Sequence, residues 1–106
     1  MAREKILVVD DDLHSLSKIY LALIHRRFKA EACNNPEEIA ARLKRLKPSV
    51  IILHAEEYLK IKGKLRTPAI VLCEDDRLQG HLNYGDIILP CPVSADVLVK
   101  AVERLV

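Results

Sequence analysis

The sequence predicts a doubly wound α/β fold, in which helices cover both faces of a parallel sheet. Four short apolar runs are continuous rather than alternating, which is typical of strands buried on both faces. Segments with helical spacing lie between these runs, and such alternation predicts a parallel sheet. The four runs are residues 6–9, 50–53, 69–72 and 87–89.

Composition is that of a globular protein. The chain has 106 residues, which suits one domain spanning residues 1–106. Hydrophobic residues make up 50% and charged residues 30%. The net charge is only +2 and aromatic residues are 4%, so no basic stripe with interleaved aromatics favours nucleic acid as a partner. No apolar run approaches the roughly 20 residues of a membrane span. Three widely spaced cysteines favour a reducing, cytoplasmic location over a disulfide framework.

Each helix has a recognisable start. Asp12 is a candidate N-cap for the first helix, and Ser94 for the last. In the second helix Asn35 caps and Pro36 takes the first position. Residues 29–33 are only mildly apolar and are expected to form an edge strand. The predicted buried stripes are Leu13, Leu16, Tyr20, Leu23 and Ile24 in the first helix, Ile39, Leu43 and Leu46 in the second, and Val97, Leu98, Ala101, Val102 and Leu105 in the last.

The connections before and after the fourth strand are short. Only residues 55–68 and 74–85 are available for them, whereas a crossover with its helix needs at least about 10–12 residues. We therefore expect shortened third and fourth helices. Gly80, Asn83 and Gly85 favour a loop in the second connection.

The candidate functional residues follow from the fold class. In doubly wound sheets the functional crevice lies beyond the carboxyl ends of the strands. The side chains that follow the strands there are Asp10, Asp11 and Asp12 after the first strand, His54 after the third, Cys73 after the fourth and Cys91 after the fifth.

Five segments, in order along the chain, carry a resemblance to a known family. The first is the opening, Lys-Ile-Leu-Val-Val-Asp-Asp-Asp at residues 5–12, and the others are residues 34–39, 48–53, 67–72 and 85–94. Together they resemble the receiver domains of bacterial response regulators, the CheY-like superfamily. The resemblance implies a flavodoxin-like, five-stranded parallel sheet in the order 2-1-3-4-5 and a role in two-component or phosphorelay signal transduction.

The family's phosphorylation site is incomplete in this sequence. The resemblance implies an acidic pair that holds Mg²⁺, here Asp10 and Asp11. At the phosphoacceptor aspartate the chain has His54. At the two positions whose Ser or Thr and Lys bind the phosphoryl group it has Cys73 and Cys91. Imidazole cannot form the acyl phosphate, and a thiol cannot replace an ammonium as a phosphate clamp.

The resemblance therefore implies a pseudo-receiver that is not an enzyme and needs no cofactor. It would signal by phosphorylation-independent contact with a partner protein. The implied contact face comprises the fourth segment, the fifth strand and the last helix, and this face is also a candidate homodimer surface. Ile88 stands at the family's aromatic switch position.

Three alternatives remain open at the level of sequence. His54, Cys73, Cys91 and Asp11 form a plausible Zn²⁺ ligand set, and Cys73 with Cys91 a candidate thiol-redox pair. Asp10 and Asp11 could retain a weak divalent cation. A working receiver phosphorylated instead at Asp75 or Asp76 is the third alternative.

Overall fold

Five parallel strands form one sheet in the order β2-β1-β3-β4-β5, as the sequence predicts. The computed structural model describes residues 5–74, 80, 82–83, 85–91 and 93–106. The strands are β1 (Lys5–Val9), β2 (Lys29–Cys33), β3 (Val50–His54), β4 (Ala69–Cys73) and β5 (Ile87–Pro90), and the helices are α1 (Leu13–His25), α2 (Ile39–Leu46), α3 (Ala55–Ile61) and α4 (Ala95–Leu105).

The sheet separates two apolar layers, because successive side chains of a strand point to opposite faces. In β1, Ile6 and Val8 pack with α1 and α4, while Leu7 and Val9 pack with α2 and α3. β1, β3 and β4 are buried along nearly their whole length, whereas β2 and β5 form the edges and are partly exposed. This explains why the central strands read as continuous apolar runs. None of the helices in the described part of the chain has the length and apolar character of a membrane span.

The predicted caps are confirmed. Asp12 accepts a hydrogen bond from the backbone N–H of His14, and Ser94 from that of Val97. Asn35 accepts one from Glu37, but it opens a short 3₁₀ turn, Pro36–Glu38, rather than the α-helix itself. α2 begins only after this turn.

The predicted buried stripes of α1 and α4 are partly wrong. Leu13 is 61% exposed, Val97 46% and Ile24 38%. The buried residues of α1 are Leu16, Ile19 and Leu23, a narrower stripe at spacings of three and four. Leu13 and Val97 lie in the first turns of their helices.

The connections flanking β4 are short, as expected. α3 spans only Ala55–Ile61. Among the described residues between β4 and β5, which are 74, 80, 82–83 and 85–86, none is helical. Gly80 and Gly85 have φ values of 86° and 89°, which only glycine adopts without strain.

Candidate functional site

The carboxyl ends of four strands surround one open crevice of about 610 Å³. Because β1, β3, β4 and β5 run parallel, their last residues meet at the same edge of the sheet. The crevice therefore brings together every candidate that the sequence analysis selected. These side chains are Asp10, Asp11, Asp12, His54, Cys73 and Cys91, and Ser15, Lys18, Glu56, Glu57 and Glu74 also line the crevice.

Asp10 is the buried carboxylate of the site, with 4% of the residue exposed. Its backbone N–H donates to the carbonyl of Cys33, which fixes the strand end. One carboxylate oxygen, Oδ1, accepts a hydrogen bond from the backbone N–H of Asp12 at 2.9 Å. The other, Oδ2, lies 2.9 Å from Nε2 of His54. Both oxygens of Asp10 are thus engaged by the protein.

His54 is the last residue of β3 and immediately precedes α3. Its side chain does not cap the helix but contacts Asp10, and it is 39% exposed to the crevice. When protonated, the imidazole brings a positive charge to the buried carboxylate. This direct contact was not predicted from the sequence. The only sequence signal for it is the adjacency of β1 and β3, whose ends carry the two residues.

The three consecutive aspartates have three different environments. Asp10 is buried against His54, while Asp11 and Asp12 are exposed. Asp12 is the N-cap of α1, where hydrogen bonds from the backbone N–H of His14 and from Ser15 lower the pKa of its carboxyl group. Its role is therefore structural, and Asp11 is the exposed carboxylate of the acidic pair.

Cys73 and Cys91 are neighbours at the ends of β4 and β5. The backbone N–H of Cys91 donates to the carbonyl of Cys73 at 3.2 Å, and the two residues are not joined by a disulfide. Burial raises the pKa of the Cys91 thiol, and the nearby charge of Glu74 raises it further. Because the thiolate is the nucleophile, the raised pKa makes the Cys91 thiol a poor nucleophile.

The predicted metal sites lack a suitable ligand cluster. Within residues 5–74, 80, 82–83, 85–91 and 93–106, no three His, Cys, Asp or Glu side chains are grouped to hold a metal ion. The zinc set of His54, Cys73, Cys91 and Asp11 is therefore not assembled, although all four line the crevice. The acidic pair also fits a magnesium ion poorly, because His54 and a backbone N–H already engage Asp10. The alternative acceptors Asp75 and Asp76 lie outside the described residues.

This chain matches known proteins through its structure alone. No protein-family model and no curated protein matches the sequence. Solved structures do match: the Francisella response regulator 1452 receiver domain is 24% identical, with a TM-score of 0.83 over 97% of this chain and 96% of that one. The chain has the fold of a response regulator receiver domain.

Two further receivers agree over nearly their entire lengths. The signal receiver domain of a response regulator from Bermanella marisrubri is 20% identical, with a TM-score of 0.81, and the match covers 97% of this chain and 98% of that one. The Vibrio cholerae chemotaxis protein CheY4 is 19% identical, with a TM-score of 0.80, and the match covers 99% and 100%. The CheY-like fold expected from the sequence is confirmed.

Proposed function

We propose that this chain is a receiver-like signalling module of the two-component type that acts through contact with a partner protein, without phosphorylation. The observation that carries the proposal is the contact of 2.9 Å between His54 Nε2 and Asp10 Oδ2. The imidazole lies at the strand end where the resemblance calls for an aspartate nucleophile, and it engages the carboxylate that would otherwise bind a cation.

Phosphoryl transfer to an aspartate depends on a carboxylate nucleophile, a divalent ion and donors directed at the phosphoryl oxygens. His54 replaces the nucleophile and contributes a hydrogen bond or positive charge where the ion would lie. Cys73 and Cys91 stand where a hydroxyl and an ammonium would bind phosphate. Because burial keeps the Cys91 thiol protonated at neutral pH, it offers only a weak donor. These three replacements together support the proposal that no acyl phosphate forms in the crevice and that the chain is not an enzyme.

The proposed contact surface comprises the described residues between β4 and β5, the edge strand β5, and α4. β5 lies at the edge of the sheet, and Ile87, Ile88 and Leu89 are each partly exposed. Val97 adds an exposed apolar side chain on α4. An apolar surface of this kind suits a protein partner in the cytoplasm, or a second copy of the chain.

Intact mass measurement tests the proposal directly. The protein is incubated with Mg²⁺ and with acetyl phosphate or phosphoramidate in separate reactions. No added phosphoryl group is expected with either donor, because the acceptor carboxylate is missing and Asp10 is engaged by His54. A receiver domain that has the acceptor aspartate and is phosphorylated by these donors serves as the control for donor activity. A stoichiometric phosphoryl adduct on this chain would overturn the proposal, and tandem mass spectrometry would then distinguish His54 from Asp75 or Asp76.

The thiol-redox alternative has one supporting observation, the adjacency of Cys73 and Cys91. The pKa of Cys91 argues against it, since reactive redox cysteines have lowered pKa values. Treatment with diamide followed by intact mass separates the two functions. We expect no rapid conversion to a Cys73–Cys91 disulfide, and a fast, stoichiometric one would favour the redox function.

A further inference from the structure

Tyr58 is a fully buried phenol in the middle of α3, with 0% of the residue exposed. A buried hydroxyl needs hydrogen-bond partners, because an unsatisfied polar group in a protein interior is strongly destabilising. Tyr58 finds both of its partners in the connection between β4 and β5. Its hydroxyl donates to Asp86 Oδ2 at 2.7 Å and accepts from the backbone N–H of Asn83 at 2.7 Å.

Asn83 and Asp86 extend these contacts to two other elements. Asp86 Oδ1 accepts from the backbone N–H of Ala69, the first residue of β4, at 2.9 Å. Asn83 Nδ2 donates to the backbone carbonyl of Lys62, just beyond the end of α3, at 2.8 Å. These hydrogen bonds join the residues before β5 to α3, to the turn that follows α3, and to the start of β4.

We infer that Tyr58, Asn83 and Asp86 form an anchor that holds the described residues just before β5, 82–83 and 85–86, against α3 and the start of β4, and that this anchor fixes the shape of the adjoining part of the proposed contact surface. The second half of the inference rests on the proposed function, since it concerns that surface. The first half concerns the chain's own conformation and stands independently.

The anchor compensates for missing regular structure. The described residues of the connection, which are 74, 80, 82–83 and 85–86, are not helical, so these residues have no helical ladder of backbone hydrogen bonds. Ordering each residue costs about 1–2 kcal/mol in backbone entropy. The hydrogen bonds of the anchor offset part of this cost, and Leu82 and Ile88 add apolar contacts to the same core layer that contains Tyr58.

The position of Tyr58 also relates the anchor to the crevice. α3 begins directly after His54, and Tyr58 lies about one turn further along the same helix. The first turn of α3 thus lines the crevice, and its buried face contacts the residues before β5. Because the hydrogen bonds of the anchor are buried, we expect the surface beside it to be held in place without a phosphorylation event.

Hydrogen exchange measured by mass spectrometry tests the anchor in the full chain. Tyr58→Phe keeps the ring and removes the hydroxyl, so peptides containing Asn83, Asp86 and the Ala69 amide should exchange about tenfold faster or more. Peptides from β1 and α4 should keep their wild-type rates. Tyr20→Phe is the matched control, because Tyr20 is partly buried on α1, in the opposite layer, and should change neither set. Unchanged exchange around Asn83 and Asp86 in Tyr58→Phe would overturn the inference.

A second readout reports on the phenol itself. Burial raises the pKa of Tyr58 to about 12, and Asp86 contributes to the rise. Ultraviolet titration of the wild type, with Tyr58→Phe to assign the signal, should therefore find that Tyr58 titrates late. Asp86→Ala should lower this pKa part of the way toward the ordinary value, because burial remains and only the contribution of Asp86 is lost. A Tyr58 pKa identical to that of the wild type in a folded Asp86→Ala protein would contradict the anchor. Should Tyr58→Phe not fold, Asn83→Ala removes only the bond to Lys62 and must still speed exchange locally. None of these results depends on phosphorylation, so the inference and the proposed function fail separately.

Discussion

His54 and Tyr58 lie within about one turn of each other, and each contacts an aspartate, yet their surroundings are opposite. His54 is 39% exposed and meets Asp10 at the edge of an open crevice. Tyr58 is 0% exposed and meets Asp86 inside the layer formed with α2 and α3. Water from the crevice can replace the contact between His54 and Asp10, whereas the contact between Tyr58 and Asp86 is buried and has no such replacement. We therefore expect the contact in the crevice to contribute little to the stability of the fold and the buried anchor to contribute much more.

The charges at the two ends of α3 are consistent with this division. Glu56 and Glu57 lie in its first turn and Lys60 in its last, as the helix dipole favours. Lys60 and Glu57 are 3.5 Å apart and exposed enough that their ion pair adds little. The stability of α3 therefore depends mainly on Tyr58 and its apolar neighbours. Substitutions of Tyr58 should consequently lower the free energy of unfolding more than substitutions of His54.

Tyr58→Ala should have the largest effect of any substitution at these two positions. It removes a fully buried aromatic ring and leaves both Asp86 and the Asn83 amide without their partner. We expect a loss of about 3–5 kcal/mol in the free energy of unfolding, measured by urea denaturation at neutral pH. A loss below about 1 kcal/mol would mean that the anchor is not part of the core, and the contrast with His54 would disappear.

Tyr58→Phe isolates the hydroxyl and should cost about 1–3 kcal/mol, the usual effect of leaving buried partners unsatisfied. It should also remove a pH dependence. Because the folded pKa of about 12 exceeds the ordinary value of 10.0, the fold favours the neutral phenol. The resulting stabilisation is complete below pH 10 and is lost as the pH rises through 12. Urea denaturation across this range should show a shallower decline in Tyr58→Phe than in the wild type, and identical slopes would contradict the assignment.

His54→Asp tests the crevice by placing a carboxylate at the end of β3, where the resemblance to receiver domains calls for one. A carboxylate beside Asp10 removes the favourable contact with the imidazole and adds repulsion between like charges. Without divalent ions we expect a loss of about 1 kcal/mol, the scale of two neighbouring charges near water. Mg²⁺ should reverse this loss, since three carboxylates suit a hard cation. A thermal shift in Mg²⁺ against EDTA measures both effects. His54→Asn is the control: it also loses the imidazole contact but adds no charge, so it should show a smaller loss and no Mg²⁺ response. An equal Mg²⁺ response in the wild type would refute the view that His54 displaces the ion.

The strands and the crevice differ from the two side-chain contacts in whether the sequence could predict them. The central strands and the crevice were predictable, because continuous apolar runs indicate buried parallel strands whose ends meet. The contact of His54 with Asp10 depends on side-chain direction, which no pattern encodes. The contact of Tyr58 with Asp86 spans 28 residues, and Asp86 lies just before β5 outside any helix or strand, where periodicity carries no information. Helical spacing wrongly places Leu13 and Val97 in the core, because spacing alone cannot locate the end of a buried stripe.

His54→Ala should have the smallest effect, and for that reason it is the most sensitive test of the comparison. The substitution leaves Asp10 with the hydrogen bond from the Asp12 amide, and the open crevice allows water to reach the oxygen that His54 contacted. We expect a loss of less than about 1 kcal/mol at neutral pH, because His54 is 39% exposed, so that solvent screens its contact with Asp10 and can enter the space that it leaves. Urea denaturation beside Tyr58→Phe provides the measurement. A cost equal to that of Tyr58→Phe would show that the pair of His54 and Asp10 stabilises the fold as the anchor does, and the division between a replaceable crevice contact and an irreplaceable buried one would be wrong.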